Sequence, residues 1–250
     1  MRPAWVLVLA ASVLAAPGAR AAESLIKAPT EADWSAVAKQ PDWSGVWTPE
    51  WGTLFASRGA SKPMLKGDAA KALVKFEADK AKGENLQTDA ANCVPAGMPQ
   101  MMRMPYPIEF IYSPGRVTII TETESQVRRV YTDGRPLPAD PDPSFVGSSV
   151  GHWEGDTLVI ETIGLNPRTS LVPGVHPTEK TKIVERYRLD KPDHILVETT
   201  ITDPDMFAQP LVIPTAYVRK RDWAIREYVC QENNKDAADP FGRPSMSLDK

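Results

Sequence analysis

Histidine and cysteine are scarce in this 250-residue chain, with three histidines (His152, His176 and His194) and two cysteines (Cys93 and Cys230). No histidine has a second one at i+2 or i+4, and neither a CxxC nor an HExxH string occurs, so spacing nominates no metal ligands. A phosphate-cradling glycine loop and a dinucleotide fingerprint are also missing, and no cofactor is expected. Basic residues never concentrate beyond Arg128-Arg129 and Arg219-Lys220-Arg221. Neighbours on a strand point to opposite faces, so these runs do not form one patch, and nucleic acid is not an expected partner. After the N-terminus no stretch approaches ~18 consecutive apolar residues, the length a membrane-spanning helix requires, so no membrane span is expected.

What is present begins with an export signal. Arg2 is a short basic region, positions 6–16 are apolar, and Ala19-Arg20-Ala21 fits the small-x-small cleavage rule. Together they give a signal peptide over 1–21 and a periplasmic or secreted protein. Removing Arg2 and Arg20 from the 29 basic residues leaves 27 against 32 acidic ones, a net charge of −5 that favours solubility. In an oxidising compartment an isolated cysteine pair reads as one disulfide, Cys93 with Cys230. Closing so long a loop contributes roughly 4–5 kcal/mol in the chain-entropy limit.

Along the mature chain, Thr30 and Asp33 have the spacing of a helix N-cap and its reciprocal partner, predicting a short helix over 30–39 that Pro41 stops. Gly45-Val46-Trp47 resembles the Gly-x-Trp opening of lipocalin-like barrels, where the indole plugs the closed end. Leu65, Ala69, Ala72, Leu73 and Phe76 recur at spacings of three and four. They predict an amphipathic helix over 65–82 that lies on a larger body, with Gly83 as its cap. The segment 92–107 combines prolines at 95, 99, 105 and 107 with methionines at 98, 101, 102 and 104. It cannot form a regular element, and an apolar plug or pocket lid is favoured over a thioether metal site.

From residue 108 the pattern becomes β. Strands are predicted over 108–113, 116–124, 126–133, 148–153, 157–164, 181–189, 194–202, 211–221 and 224–232, divided by turn signals such as Pro114-Gly115, Glu154-Gly155-Asp156 and Asp190-Lys191-Pro192-Asp193. Sequential hairpins without intervening helices predict a mainly β, antiparallel up-and-down barrel of lipocalin or calycin type. It is expected to have 8–10 strands and one or two peripheral N-terminal helices, filling 22–234 as one domain before a polar tail over 235–250.

Gly147-Ser148-Ser149-Val150-Gly151 matches the Gly-x-Ser-x-Gly nucleophile elbow. An elbow needs a strand, a sharp turn and then a helix within a parallel sheet. Here a hairpin turn and a second β run follow, so Ser149 reads as a strand-entry residue. Strand alternation puts Glu185 and Tyr187 on the apolar face of 181–189, Arg129 and Tyr131 on that of 126–133, and Glu122 beside Ile120. Arg129 with Glu122 or Glu185 is then either a structural pair at a core or rim, or the polar anchor of a ligand pocket. Two functions follow. One is binding of a small apolar or aromatic molecule by Trp153, Arg129, Tyr131, Tyr187, Met101 and Met102. The other is a cofactor-independent lyase, isomerase or hydrolase in the same barrel, with His152 and Glu185 or Glu122 as acid and base and Arg129 stabilising an oxyanion. The sequence carries no signal for an oligomeric state.

Several strings are similar to those of a large group of exported bacterial proteins: Cys93-Val94-Pro95-Ala96-Gly97-Met98-Pro99, Val130-Tyr131-Thr132-Asp133-Gly134-Arg135-Pro136, Gly151-His152-Trp153-Glu154-Gly155-Asp156-Thr157-Leu158-Val159 and Glu227-Tyr228-Val229-Cys230 among them. The resemblance runs over roughly 43–234 and implies export and a single domain. It brings no reaction and no catalytic residue with it.

Overall fold

The computed structural model describes residues 28–54, 62–84 and 88–230; the expected signal peptide and polar tail lie outside them. Nine strands close a barrel in chain order: β1 (Val46–Pro49), β2 (Ile108–Ser113), β3 (Arg116–Thr121), β4 (Val127–Tyr131), β5 (Ser148–Glu154), β6 (Thr157–Ile163), β7 (Lys182–Lys191), β8 (His194–Thr202) and β9 (Leu211–Lys220). The expected mainly β closed barrel of 8–10 strands is present, but it is not antiparallel throughout. Helices α1 (Glu31–Val37), α2 (Gly67–Ala81) and the single turn α3 (Thr88–Ala91) are not part of the ring of strands. Thr30 caps α1 reciprocally: its hydroxyl accepts from the Asp33 amide at 3.3 Å, and Asp33 accepts from the Thr30 amide at 2.7 Å.

Nine is an odd number, and strands around a closed ring cannot alternate in direction when their number is odd. At least one neighbouring pair must run parallel. That pair is β4 and β5, whose ladder is short, with only Val130 opposite Ser149 and Tyr131 opposite Val150. A parallel neighbour requires a crossover of about a dozen residues or more, and the proline-rich connection 132–147 supplies it. Every other neighbouring pair is antiparallel, including the closing pair of β1 with β9.

Both ends of the barrel are sealed. At one end Trp43 and Trp47 are fully buried, and Trp47 Nε1 donates to the Trp43 carbonyl at 2.9 Å. The Arg219 guanidinium lies 4.6 Å from the Trp47 ring centroid and pairs with Asp42 at 2.9 Å. Trp43 also touches Phe110, Trp153, Tyr187 and Tyr112, with centroids 5.1–6.3 Å apart. At the other end the methionine-rich segment is a plug: Met98, Met101 and Met102 are buried, and the Tyr217 hydroxyl donates to the Met102 carbonyl. Gly97, at φ +60, starts this plug, and a Cβ there would sit 2.5 Å from the Phe145 carbonyl oxygen. Helix α2 covers the same end, with Phe76 against Gly174.

One expected strand is absent. Residues 223–229 are irregular, because β9 already closes on β1 over four residue pairs and leaves no free edge. The segment instead straps the rim: the Arg226 amide donates to Glu122 at 2.9 Å, Tyr228 meets Tyr106 edge-on at 5.5 Å, and Cys230 joins Cys93 in a disulfide. Replacing both cysteines (Cys93→Ser with Cys230→Ser) should lower the unfolding free energy by a few kcal/mol, with about 4–5 as the upper bound, because the strap and plug are freed in the unfolded chain. Urea denaturation of this variant against the oxidised wild type checks it; coincident curves would show that the strap contributes nothing.

Candidate functional site

Strand alternation sets which side chains face the interior. On β3 and β4 these are Val117, Ile119, Arg128 and Val130, and the register places Ile119 opposite Arg128. The guanidinium inside the barrel is therefore Arg128, whereas Arg129 faces solvent. This corrects the expectation for β4, where each face carried one arginine and apolar content could not decide between them.

Arg128 is the hub of a buried network. Its Nη2 donates to Glu185 Oε2 at 2.5 Å and to Thr162 Oγ1 at 2.8 Å, and its Nε donates to Ser149 Oγ at 3.2 Å. Ser149 and Thr162 hydroxyls lie 2.8 Å apart, and Tyr187 donates to Glu185 Oε1 at 2.6 Å. Burial, followed by the negative charge of Glu185, pushes the Tyr187 hydroxyl well above its usual range, so it remains a donor. One side chain from β4 thus holds β5, β6 and β7 from within. The arrangement is a structural ion pair whose side chains are both fully buried; Arg128 bonds through Nε and Nη2, while its Nη1 is buried with no hydrogen-bond partner among the described residues.

The acid–base constellation expected for an enzyme is not assembled. His152 projects outward, its side chain 57% exposed, and bonds Glu154 at 3.1 Å. It shares an outer row with Val159 and Arg186, whereas Gly151, Ile160 and Glu185 form the inner row beside it. The barrel wall separates the two groups. Glu122 lies past the end of β3, and its carboxylate accepts from the Arg226 amide at the rim. Ser149 is buried and contacts Arg128 and Thr162 but no histidine. The glycines around it answer packing needs: Gly147 has φ +68, and a Cβ on Gly151 would lie 2.9 Å from Val130 Cγ1. Among the described residues no cluster of three or more His, Cys, Asp or Glu could hold a metal ion, and no helix is long and apolar enough to cross a membrane.

The six residues expected to bind a ligand are divided among three places. Tyr187, Met101 and Met102 are packed in the interior, where they touch protein on all sides. Trp153 lies over Trp43 and lines a cleft of about 180 Å³ beneath α1, shared with Tyr112 and Gln40. Arg129 and Tyr131 line a much larger groove of about 810 Å³ on the outside of the barrel.

That groove lies along the parallel seam. Outward side chains of β4 (Val127, Arg129, Tyr131) and β5 (Ser148, Val150) line it together with Val146 and the connection at Arg135, Pro136 and Pro138. β4 and β5 share only two residue pairs at this point, and the chain enters β5 through Gly147 in a left-handed conformation. Its volume falls in the range of roughly 300–1,000 Å³ that small-molecule sites occupy. Arg135 stacks over Tyr131 at 3.9 Å and pairs with Asp133 at 2.5 Å, and this guanidinium holds the Asp133 carboxyl below the ordinary carboxylate range. Arg129 is exposed and has no ion-pair partner among the described residues. Val146, Ser148, Val150 and the prolines carry no local signal as lining residues, because they meet β4 only through a parallel pairing.

No protein-family model and no curated protein matches the chain. Among solved structures it is similar to a secretory abundant heat soluble (SAHS) protein from Ramazzottius varieornatus, at a TM-score of 0.33 and 10% identity, covering 71% of this chain and 95% of that one.

The network makes a sharp stability prediction. Glu185→Ala leaves Arg128 buried without its counter-ion and should cost about 3–5 kcal/mol, whereas Arg128→Met combined with Glu185→Leu should recover most of that loss. Chemical denaturation of both variants decides it. A loss below about 1 kcal/mol for Glu185→Ala would place the pair in contact with water rather than in a closed core.

Proposed function

We propose that this chain is an exported barrel protein that binds a small, largely apolar molecule in the outer groove along β4 and β5, and not inside the barrel. The observation that carries this reading is the pairing of a filled interior with an open, preformed groove of about 810 Å³. Trp43, Trp47, Arg128, Tyr187, Tyr217 and Met101 occupy the space that a ligand would take in a hollow barrel. The groove, by contrast, offers Val127, Val146, Val150, Pro136 and Pro138 as apolar lining, with Tyr131 as a flat aromatic surface. The Cys93–Cys230 disulfide supports an extracellular or periplasmic setting, where such bonds persist.

A neutral fluorescent probe tests the reading. N-phenyl-1-naphthylamine should bind the full mature chain saturably at one site. Val150→Trp, which fills the groove from β5, should abolish that binding while leaving the circular dichroism of the barrel intact. Equal binding by Val150→Trp, or no saturable binding by the wild type, would contradict the reading.

A further inference from the structure

The groove carries one unmatched charge. Asp133 and Arg135 neutralise each other at its edge, through hydrogen bonds from Arg135 Nε to both carboxylate oxygens and from Nη2 to Oδ2. Arg135 is also fixed against Tyr131 by stacking. Arg129 is different. It projects from the middle of β4, between Val127 and Tyr131 on the same face, and no carboxylate among the described residues pairs with it. The Ser148 hydroxyl lines the same groove from the facing strand. A single guanidinium set in an otherwise apolar lining is complementary to one carboxylate on an apolar body, which it can hold through two parallel N–H···O bonds. A dianion such as a phosphate monoester would leave charge unmatched on this surface, since Arg135 is already engaged.

Resting on the groove reading above, we infer that the ligand class is a monoanionic aromatic or alkyl carboxylate. Its carboxylate sits on Arg129, and its body lies along Val127, Val150 and the face of Tyr131.

Titration calorimetry with 4-pentylbenzoate and the neutral 4-pentylbenzamide separates charge recognition from apolar binding. The wild type should bind the acid about ten-fold more tightly than the amide, as a charge-assisted bidentate contact warrants, and the preference should shrink as salt rises. Arg129→Gln should erase the preference of acid over amide. Arg188→Gln, the same charge change at an exposed position on β7 outside the groove, should retain it. Equal affinity for acid and amide in the wild type, or a preference that survives Arg129→Gln, overturns the carboxylate assignment while the groove reading stands. Failure of both compounds to bind overturns the two together.

Discussion

A closed ring of nine strands cannot be antiparallel throughout, and the consequences of that parity constraint run through the molecule. β1 and β9 meet antiparallel, so the odd step falls between β4 and β5. The chain must then travel back along the barrel before β5 begins, which requires the long connection 132–147. The two strands share only two residue pairs, and the wall is thinner in backbone hydrogen bonds there than anywhere except between β1 and β2. The outer surface opens into a groove at that point, walled by the same connection that the parity constraint demands.

Inside, the weak seam is held by side chains. Arg128 from β4 reaches Ser149 on β5, Thr162 on β6 and Glu185 on β7, so one guanidinium replaces part of the cohesion that the short ladder does not provide. Burying this ion pair is tolerable because its members have several hydrogen-bonding partners. The arrangement also fills the interior with polar side chains, while Trp43 and Trp47 close one end and the methionine plug closes the other. Large buried side chains, Trp43, Trp47, Arg128, Tyr187 and Tyr217 among them, take up the interior of the described barrel. The binding surface proposed for it is displaced to the outside, at the place where the wall is least continuous.

Much of the architecture was legible in the residues. Turn signals located eight of the nine predicted strands from 108 onward, the Thr30–Asp33 spacing identified the first helix, and the Gly45-Val46-Trp47 string marked the sealed end. The inward direction of Glu185 and Tyr187 was readable because β7 has one plainly apolar face. β4 was not, since Val127-Arg128-Arg129-Val130 offers each face one valine and one arginine, and only the register against β3 resolves it. The predicted strand over 224–232 failed for a reason no local pattern contains: β1 had already taken the edge of β9. The groove was illegible for a related reason. Its lining comes from two strands and a loop that become neighbours only through a parallel pairing, and the alternating hairpin pattern argues against one. Gly147, Ser149 and Gly151, which imitate a nucleophile elbow, are better understood as the close-packed residues of this seam.

On this reading ligand binding takes place on the outer face of the seam. Chemical-shift mapping by NMR of the mature chain, titrated with N-phenyl-1-naphthylamine, tests it most directly. Perturbations should concentrate at 127–136 and 146–150, with the side chains of Tyr187, Met101 and Met102 unaffected. Perturbations centred on those three interior residues, with the seam silent, would contradict it.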